Sequence, residues 1–225
     1  ISKAKQKSPR QAQRDRVSSA IQARGEAGAN IWLIRPPFAS RDLALSSDFQ
    51  RQAFYLIEGE HSFVRIDYAE PWWSGSPTSS APSVRGEPRY FASAVSYEGK
   101  KFELYLDPKG HSPAIQRVGE GSGLVHISGY TIDANAQRVE NWPRIVACIR
   151  RLLVGVSPVV ERRILLELGS ARAVSMRELA CRLVDVNPAV LRGTVASLLR
   201  KREICSDLDV APWSMATKLH LGEGA

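Results

Sequence analysis

The last third of the chain constrains the fold most, because residues that begin and end helices are spaced regularly along it. Ser157 with Pro158 begins one predicted helix, and Gly169 ends it. Ser175, followed three residues later by Glu178, forms a capping box for a second helix. Because both patterns are local, they predict a region of short helices from residue 157 onward.

A third helix is predicted over NPAVLRGTVASLLRKRE, where Asn187 caps the helix and Pro188 occupies its first turn. The segments EICSDLDV and TKLHLG that follow predict the two short strands of a hairpin. The order helix, short helix, turn, helix and hairpin is typical of a winged helix-turn-helix. We therefore expect an α+β winged-helix domain over residues 156–225.

In a helix-turn-helix, the second helix presents its polar side to DNA. Few residues of this helix can donate hydrogen bonds to base edges, namely Arg192, Thr194 and Ser197. Its candidate phosphate-binding residues are Arg192, Arg200, Lys201 and Arg202. This set favours phosphate contacts over recognition of sequence. Docking of a partner protein is the alternative use of this domain, since a fold does not define a function.

The chain carries 31 lysines and arginines against 23 acidic residues, a formal net charge of +8. So basic a balance favours a polyanionic partner, with nucleic acid first and an acidic membrane surface second. Residues 1–30 are basic and poor in apolar side chains, and we interpret them as an arm that binds DNA through Arg10, Arg14 and Arg16. A solvated tail is the alternative interpretation of this segment.

The sequence predicts no membrane contact, because no apolar run approaches the ~18–20 residues of a membrane-spanning helix. The N-terminus lacks the apolar core of a secretory signal. Cys148, Cys181 and Cys205 form an odd and widely spaced set, and the four histidines are equally scattered. These patterns predict buried thiols in a reducing cytoplasm, and no metal site built on cysteine or histidine.

Residues 31–155 are expected to form a second domain that mixes helices and strands. A helix is predicted from Ser47 to about Glu58, followed by a strand in HSFVRIDYAEPWW and a Ser/Pro-rich loop over residues 74–88. RYFASAVSY and KFELYLD predict a β-hairpin around the turn at residues 98–100. After a further loop, GLVHISGYTI predicts a strand and NWPRIVACIRRLLVG predicts a helix.

This order of helices and strands resembles that of the restriction-endonuclease core. Over roughly residues 30–221 the chain resembles the TnsA family, the endonuclease subunit of heteromeric transposases. The segments that carry the resemblance are SSDFQRQAFYLIEGEHSFVRIDYAEP, RYFASAVSYEGKKFELYLDPKG and RVENWPRIVACIRRLL, followed by the winged helix. The resemblance implies an α/β restriction-endonuclease-like domain of the PD-(D/E)xK type. It also implies three partners, namely DNA, a DDE transposase and an AAA+ regulator.

Nuclease chemistry in this family needs an acid on the helix, an aspartate on one strand and a Glu-x-Lys on the next, with the acids holding Mg²⁺. On this pattern the helix glutamate falls on Gln50, the aspartate on Ser93, and the Glu-x-Lys-Pro near Tyr105-Leu106-Asp107-Pro108. A glutamine cannot neutralise a divalent cation, and no lysine lies in register. We therefore expect a subunit that binds DNA ends and bridges transposase and regulator, without nuclease activity and without a cofactor.

Two alternatives stay open at this point. Asp107-Pro108-Lys109 is itself an acid-x-Lys, and Glu103 lies on the same strand face as Asp107. An active Mg²⁺-dependent endonuclease that cuts transposon ends would then use Glu103, Asp107 and Lys109 as a migrated site. The other alternative is a winged-helix DNA-binding regulator whose first domain serves only for oligomerisation or sensing.

Overall fold

The computed structural model describes residues 30–39, 42–45, 47–68, 88–111, 116–118, 123–152, 157–170 and 172–222. Within these ranges the chain forms ten strands and six helices, which make a mixed α/β fold. The strands are β1 (Trp32–Ile34), β2 (Leu43–Leu45), β3 (Phe63–Tyr68), β4 (Arg89–Ser96), β5 (Lys101–Leu106), β6 (Gln116–Val118), β7 (Leu124–Ile127), β8 (Val174–Ser175), β9 (Ile204–Ser206) and β10 (Lys218–Leu221). The helices are α1 (Asp48–Gly59), α2 (Gly129–Ala134), α3 (Ala136–Arg151), α4 (Pro158–Gly169), α5 (Met176–Arg182) and α6 (Pro188–Lys201).

Two predicted segments fall largely outside these ranges. The basic arm with Arg10, Arg14 and Arg16 lies wholly outside the described residues, as does the loop over residues 74–88 except for its last residue. No helix in the described part of the chain combines the length and the apolar character needed to cross a membrane.

Helix α1 forms where the sequence predicts it, because Ser47 caps its first turn. The Ser47 hydroxyl accepts a hydrogen bond from the backbone N–H of Gln50 at 3.2 Å. Ala53, Phe54 and Ile57 recur at helical spacing and pack into a hydrophobic core shared with the large sheet. This burial fixes α1 on one face of that sheet.

The large sheet has five strands in the order β3-β4-β5-β7-β6. β3, β4 and β5 are antiparallel neighbours, β5 and β7 are parallel, and the edge strand β6 is antiparallel to β7. The predicted hairpin of β4 and β5 is confirmed, and Gly99 in its turn has a φ of 75°, which favours glycine. Alternation along the strands places Leu104, Leu106, Val125 and Ile127 on the face that packs against α1.

Two parts of this region differ from the prediction. The segment predicted as a loop between β5 and β7 contains β6, whose pairing with β7 is set by neighbours in space. The strand predicted through residues 123–132 ends at Ile127. It ends there because Ser128 and Thr131 form a capping box that begins α2 at Gly129.

Helix α3 lies between two hydrophobic cores and contributes to both. Trp142, Ile145 and Ile149 are buried among the C-terminal helices, whereas Val139 packs against the core of the large sheet. The domain boundary predicted after residue 155 therefore follows α3 in sequence but does not divide the two cores. Helix α3 joins the two halves of the molecule.

The C-terminal helices begin where their capping residues predict. The Ser175 hydroxyl accepts from the Glu178 N–H at 3.2 Å, and the Glu178 carboxylate accepts from the Ser175 N–H at 2.7 Å. Asn187 caps α6 by accepting from the Ala189 N–H at 2.9 Å, while Ser157 makes no capping hydrogen bond. β8, β10 and β9 form a three-stranded antiparallel sheet in that order, and the two-residue β8 was not predicted.

Candidate functional site

The face of the large sheet that points away from α1 carries the strand residues to which the resemblance assigns chemistry. Ala92 and Ala94 are buried toward α1, so Ser93 between them lies on the opposite face. The residues paired with Ser93 across the sheet are Asp67 of β3 and Glu103 of β5. The structure therefore places two acids beside Ser93, on neighbouring strands.

Gln50 does not join this group. Its side chain is on the third residue of α1 and is buried, with 3% of the residue exposed. Helix α1 packs on the face of the sheet opposite Ser93. The structure thus separates two of the positions that a nuclease of this type would bring together.

The three residues of the migrated site, Glu103, Asp107 and Lys109, do not converge. Glu103 and Asp107 are four residues apart on extended backbone, so their Cα atoms are separated by about 13 Å. Glu103 accepts a hydrogen bond from the Tyr105 hydroxyl at 3.0 Å, and the Asp107 carboxylate lies 3.8 Å from Nδ1 of His126. Lys109 is exposed in the turn beyond the strand. This arrangement corrects the expectation that the three residues form one site.

Magnesium, the ion that the resemblance implies, does not fit this face. Across the ranges that the structure describes, no group of three or more His, Cys, Asp or Glu side chains is placed to hold a metal ion. Asp67 is paired with Arg65 of its own strand at 3.0 Å. Mg²⁺ is usually held by one or two carboxylates with water in near-octahedral geometry, and here the carboxylates beside Ser93 are already bound, Asp67 by Arg65 and Glu103 by Tyr105.

Aromatic rings cover part of the same face. The ring centroid of Tyr105 lies 5.6 Å from that of Tyr90 and 5.7 Å from that of His126. Burial and the neighbouring Glu103 raise the pKa of Tyr105, so its hydroxyl stays protonated and donates to that carboxylate. The face therefore combines aromatic surface with separate carboxylates.

Two of the three basic residues at the end of α6, Arg200 and Arg202, are buried inside the protein. Arg200 is 6% exposed, and its Nε donates a hydrogen bond to Glu58 of α1 at 2.5 Å. Glu58 is 2% exposed and also accepts from the Tyr68 hydroxyl at 2.9 Å. Arg200, which the sequence predicts to bind DNA, instead holds α6 against α1. That prediction is corrected, because a buried guanidinium paired in this way cannot reach a phosphate.

Arg202 is also buried between α6 and α1. Its predicted role in DNA binding is corrected, because its guanidinium cannot reach a phosphate. Its guanidinium donates to the carbonyl oxygens of Glu58, Glu60 and Leu199 at 3.2, 2.5 and 3.2 Å. Burial and the neighbouring Arg200 lower the pKa of Arg202 to about 10. Arg202 has a φ of 67°, a conformation usually taken by glycine at helix ends. The three carbonyl contacts explain why an arginine occupies this position.

The other two predicted cations remain at the surface. Nζ of Lys201 is paired with the carboxylate of Glu161 at 2.5 Å. Arg192 is exposed, and its guanidinium donates to the sulfur of Met215 at 3.3 Å. Thioether sulfur is a weak acceptor, so this contact leaves the charge of Arg192 uncompensated by any carboxylate within the described residues.

Most of α6 is enclosed by the rest of the chain. Thr194 and Ser197 are both 0% exposed, and the Thr194 hydroxyl donates to the carbonyl of Val190 at 2.8 Å. Exposed surface is confined to the first turns, around residues 188–192, and to Lys201 at the end. The predicted base-edge contacts of Thr194 and Ser197 are corrected, because both side chains are fully buried and cannot reach a base.

The loop between β9 and β10 is also held internally, by two polar residues of α3. Arg138 donates to both carboxylate oxygens of Asp209 at 2.7 and 2.6 Å and to Glu60 at 2.9 Å. Asn141 is fully buried and donates to the carbonyl of Leu208 at 2.7 Å. Neither residue was identified from the sequence, although each interrupts the apolar side of an amphipathic helix.

No protein-family model matches this sequence, and no curated protein or solved structure matches it significantly.

Proposed function

We propose that this protein is a TnsA-like subunit of a DNA transposition complex that binds DNA ends without cutting them. In this proposal its sheet domain descends from a restriction-endonuclease-like fold, and its C-terminal region from a winged helix. The subunit connects DNA to a DDE transposase and to an AAA+ regulator. Its role is to hold DNA and these two proteins together, and other subunits cut the DNA.

The observation that carries the proposal is the composition of the sheet face around Ser93. A serine stands at the aspartate position, with Tyr105 and Asp107 at the positions of the glutamate and lysine. Gln50 belongs to α1, which packs on the face of the sheet opposite Ser93. The carboxylates beside Ser93 are each bound by another side chain, that of Asp67 by Arg65 and that of Glu103 by Tyr105, which supports a face without catalytic Mg²⁺.

The charge of the chain supports DNA as the ligand. The net charge of the chain is +8. The contact between α1 and α6 buries Arg200 and Arg202 with one carboxylate, that of Glu58, so it removes one more cation than anion from the surface. Arg192 stands at the exposed first turns of α6, the part of a recognition helix that contacts DNA in helix-turn-helix proteins. In the proposal, Arg192 and the arm residues Arg10, Arg14 and Arg16 bind phosphates.

Binding of a labelled DNA duplex, titrated at several salt concentrations, tests the DNA-binding part of the proposal. We expect affinity to fall linearly with salt on logarithmic axes, because the protein displaces counterions from phosphates. Removal of residues 1–30 is expected to weaken binding and to reduce the slope. A full-length protein that binds no duplex at low salt would refute the proposal.

A further inference from the structure

A pocket of about 510 Å³ lies between α3, the first turns of α6 and the segment at residues 213–215. Three arginines stand around its opening, Arg144 and Arg151 from α3 and Arg192 from α6. The floor includes Cys148, Met176 and Trp213. The pocket thus combines a cationic rim with an apolar and aromatic floor, and it is formed jointly by both halves of the molecule.

The rim has an excess of positive charge. None of the described residues that line the pocket is acidic. Arg144 has one partner, Glu140, at 3.7 Å on the exposed side of α3, and Arg192 donates only to the sulfur of Met215. Surface ion pairs such as that of Arg144 contribute little, so the rim remains available to an anion.

The helices bring these arginines together by close packing. Arg144 and Arg151 are seven residues apart on one side of α3, which separates their Cα atoms by about 10 Å. Helix α6 approaches the end of α3 at Gly193, where a Cβ atom would lie 2.3 Å from Cγ of Leu152. This approach brings Arg151 and Arg192 to the same pocket, and a larger residue at position 193 would require the Leu152 side chain to move.

The aromatic floor is held in a fixed position. The backbone N–H of Trp213 donates to the buried side chain of Asn141 at 2.8 Å, and Trp213 lines the pocket together with the Cys148 thiol. Burial raises the pKa of that thiol, although Arg151 and Arg192 act in the opposite direction, so the floor is uncharged at neutral pH. Trp213 is therefore a preformed, half-buried aromatic surface beneath the three guanidinium groups.

We propose that this pocket binds one unpaired nucleotide of DNA, with the arginines on its flanking phosphates and its base against Trp213. Planar guanidinium groups match phosphate oxygens in pairs, and aromatic side chains stack on bases of any sequence. The pocket has the volume of a small-molecule site, which is sufficient for a single base. The inference rests on the proposed function, and it adds that the subunit recognises unpaired DNA at the element's end.

The test compares two labelled duplexes by fluorescence anisotropy, one blunt and one with a short unpaired thymidine tail. We expect the wild-type protein to bind the tailed duplex about tenfold more tightly, as one stacked base would allow. Arg151→Ala and Trp213→Leu are each expected to abolish this ratio of affinities. Arg162→Ala removes an exposed arginine on α4 that does not line the pocket, and it should retain the ratio.

Thermal melting of each variant separates loss of binding from loss of folding, and Arg151→Ala, at an exposed position, keeps the test valid if Trp213→Leu unfolds. Equal affinity of the wild-type protein for both duplexes would overturn the pocket assignment alone. Absence of binding to either duplex would overturn the proposed function as well. An oligoglutamate peptide that displaces the tailed duplex as effectively as oligothymidine would assign the pocket to an acidic protein segment and overturn the proposal.

Discussion

Arg200 of the last helix and Glu58 of the first helix form a buried ion pair across 142 residues of sequence. Both side chains are withdrawn from water, and the carboxylate is also bound by the Tyr68 hydroxyl. Arg202 continues the contact through the backbone carbonyls of Glu58 and Glu60. The two halves of the molecule are thus joined through polar groups that lose their partners if the halves separate.

Replacement of only one residue of this pair is expected to destabilise the fold strongly. Arg200→Met leaves the Glu58 carboxylate buried without its cation, and we expect the free energy of unfolding to fall by about 3–5 kcal/mol. The double variant Glu58→Met with Arg200→Met should be more stable than the single variant, because no buried charge is left unpaired. Urea unfolding of the single and double variants measures both effects.

The exposed pair of Arg163 and Asp185 is the matched control. It is bidentate, at 2.6 and 2.8 Å, but 37% and 65% of the two side chains are exposed. Arg163→Met should therefore cost no more than about 1 kcal/mol. If Arg200→Met and Arg163→Met lowered the free energy of unfolding by the same small amount, the buried pair would not be what holds the two halves together.

Asn141 is expected to control the loop between β9 and β10. The Asn141→Asp variant keeps the acceptor for the Trp213 N–H but cannot donate to the carbonyls of Leu208 and Ala211. We expect faster hydrogen exchange across residues 208–213 and a lower melting temperature. Glu140→Gln, on the exposed side of the same helix, is the control. Unchanged exchange in the Asn141→Asp variant would show that the loop is held by other contacts.

Acid should weaken the contact at Asp209. Burial alone would raise its pKa, but hydrogen bonds from His61 and Arg138 outweigh burial and hold the pKa well below its usual range. Because the folded state binds this proton more weakly than the unfolded state, Asp209 stabilises the fold at neutral pH, and that contribution is lost as the pH falls below about 5. Melting temperatures between about pH 7 and pH 3 measure this loss.

The Asp209→Asn variant provides the comparison for the acid experiment. It should melt at a lower temperature than the wild-type protein at neutral pH, because the ion pair with Arg138 is absent. Its melting temperature should then fall less steeply on acidification. Parallel curves for the two proteins would mean that Asp209 does not account for the acid sensitivity.

Local patterns in the sequence predicted much of the secondary structure. Ser47, the capping box of Ser175 with Glu178, and Asn187 each act within one turn of helix, so their effects are visible without knowledge of the fold. Strand β6 was missed because its pairing with β7 joins separate segments. The start of α2 was missed although Ser128 carries a recognisable cap, because the preceding strand pattern was extended through it.

The functional residues were harder to predict, because exposure depends on tertiary packing. Arg200, Lys201 and Arg202 are adjacent basic residues at a helix end, yet two are buried and one is exposed. Arg200 and Arg202 are buried because they bind the carboxylate of Glu58 and the carbonyl groups near it. These groups belong to another helix, so the sequence around Arg200 does not reveal them. The pocket beside Arg192 depends in the same way on packing between α3 and α6.

The salt dependence of duplex binding should distinguish the surface cations from the buried ones. We expect Arg192→Ala to weaken binding and to reduce the salt slope by about one. Lys201→Ala, whose ammonium is paired with Glu161, should leave the slope unchanged. An effect of Lys201→Ala as large as that of Arg192→Ala would mean that the end of α6 faces DNA in the complex.

The most direct measurement is nicking of supercoiled DNA with Mg²⁺ or Mn²⁺, on samples in which DNA binding has been verified, with and without a DDE transposase as the proposed partner. We expect bound and uncut DNA from this subunit in every combination. Any cutting contributed by the transposase should be unaffected by Asp107→Ala here. Cutting by the protein alone that Asp107→Ala abolishes would establish an active nuclease site and contradict the non-catalytic role.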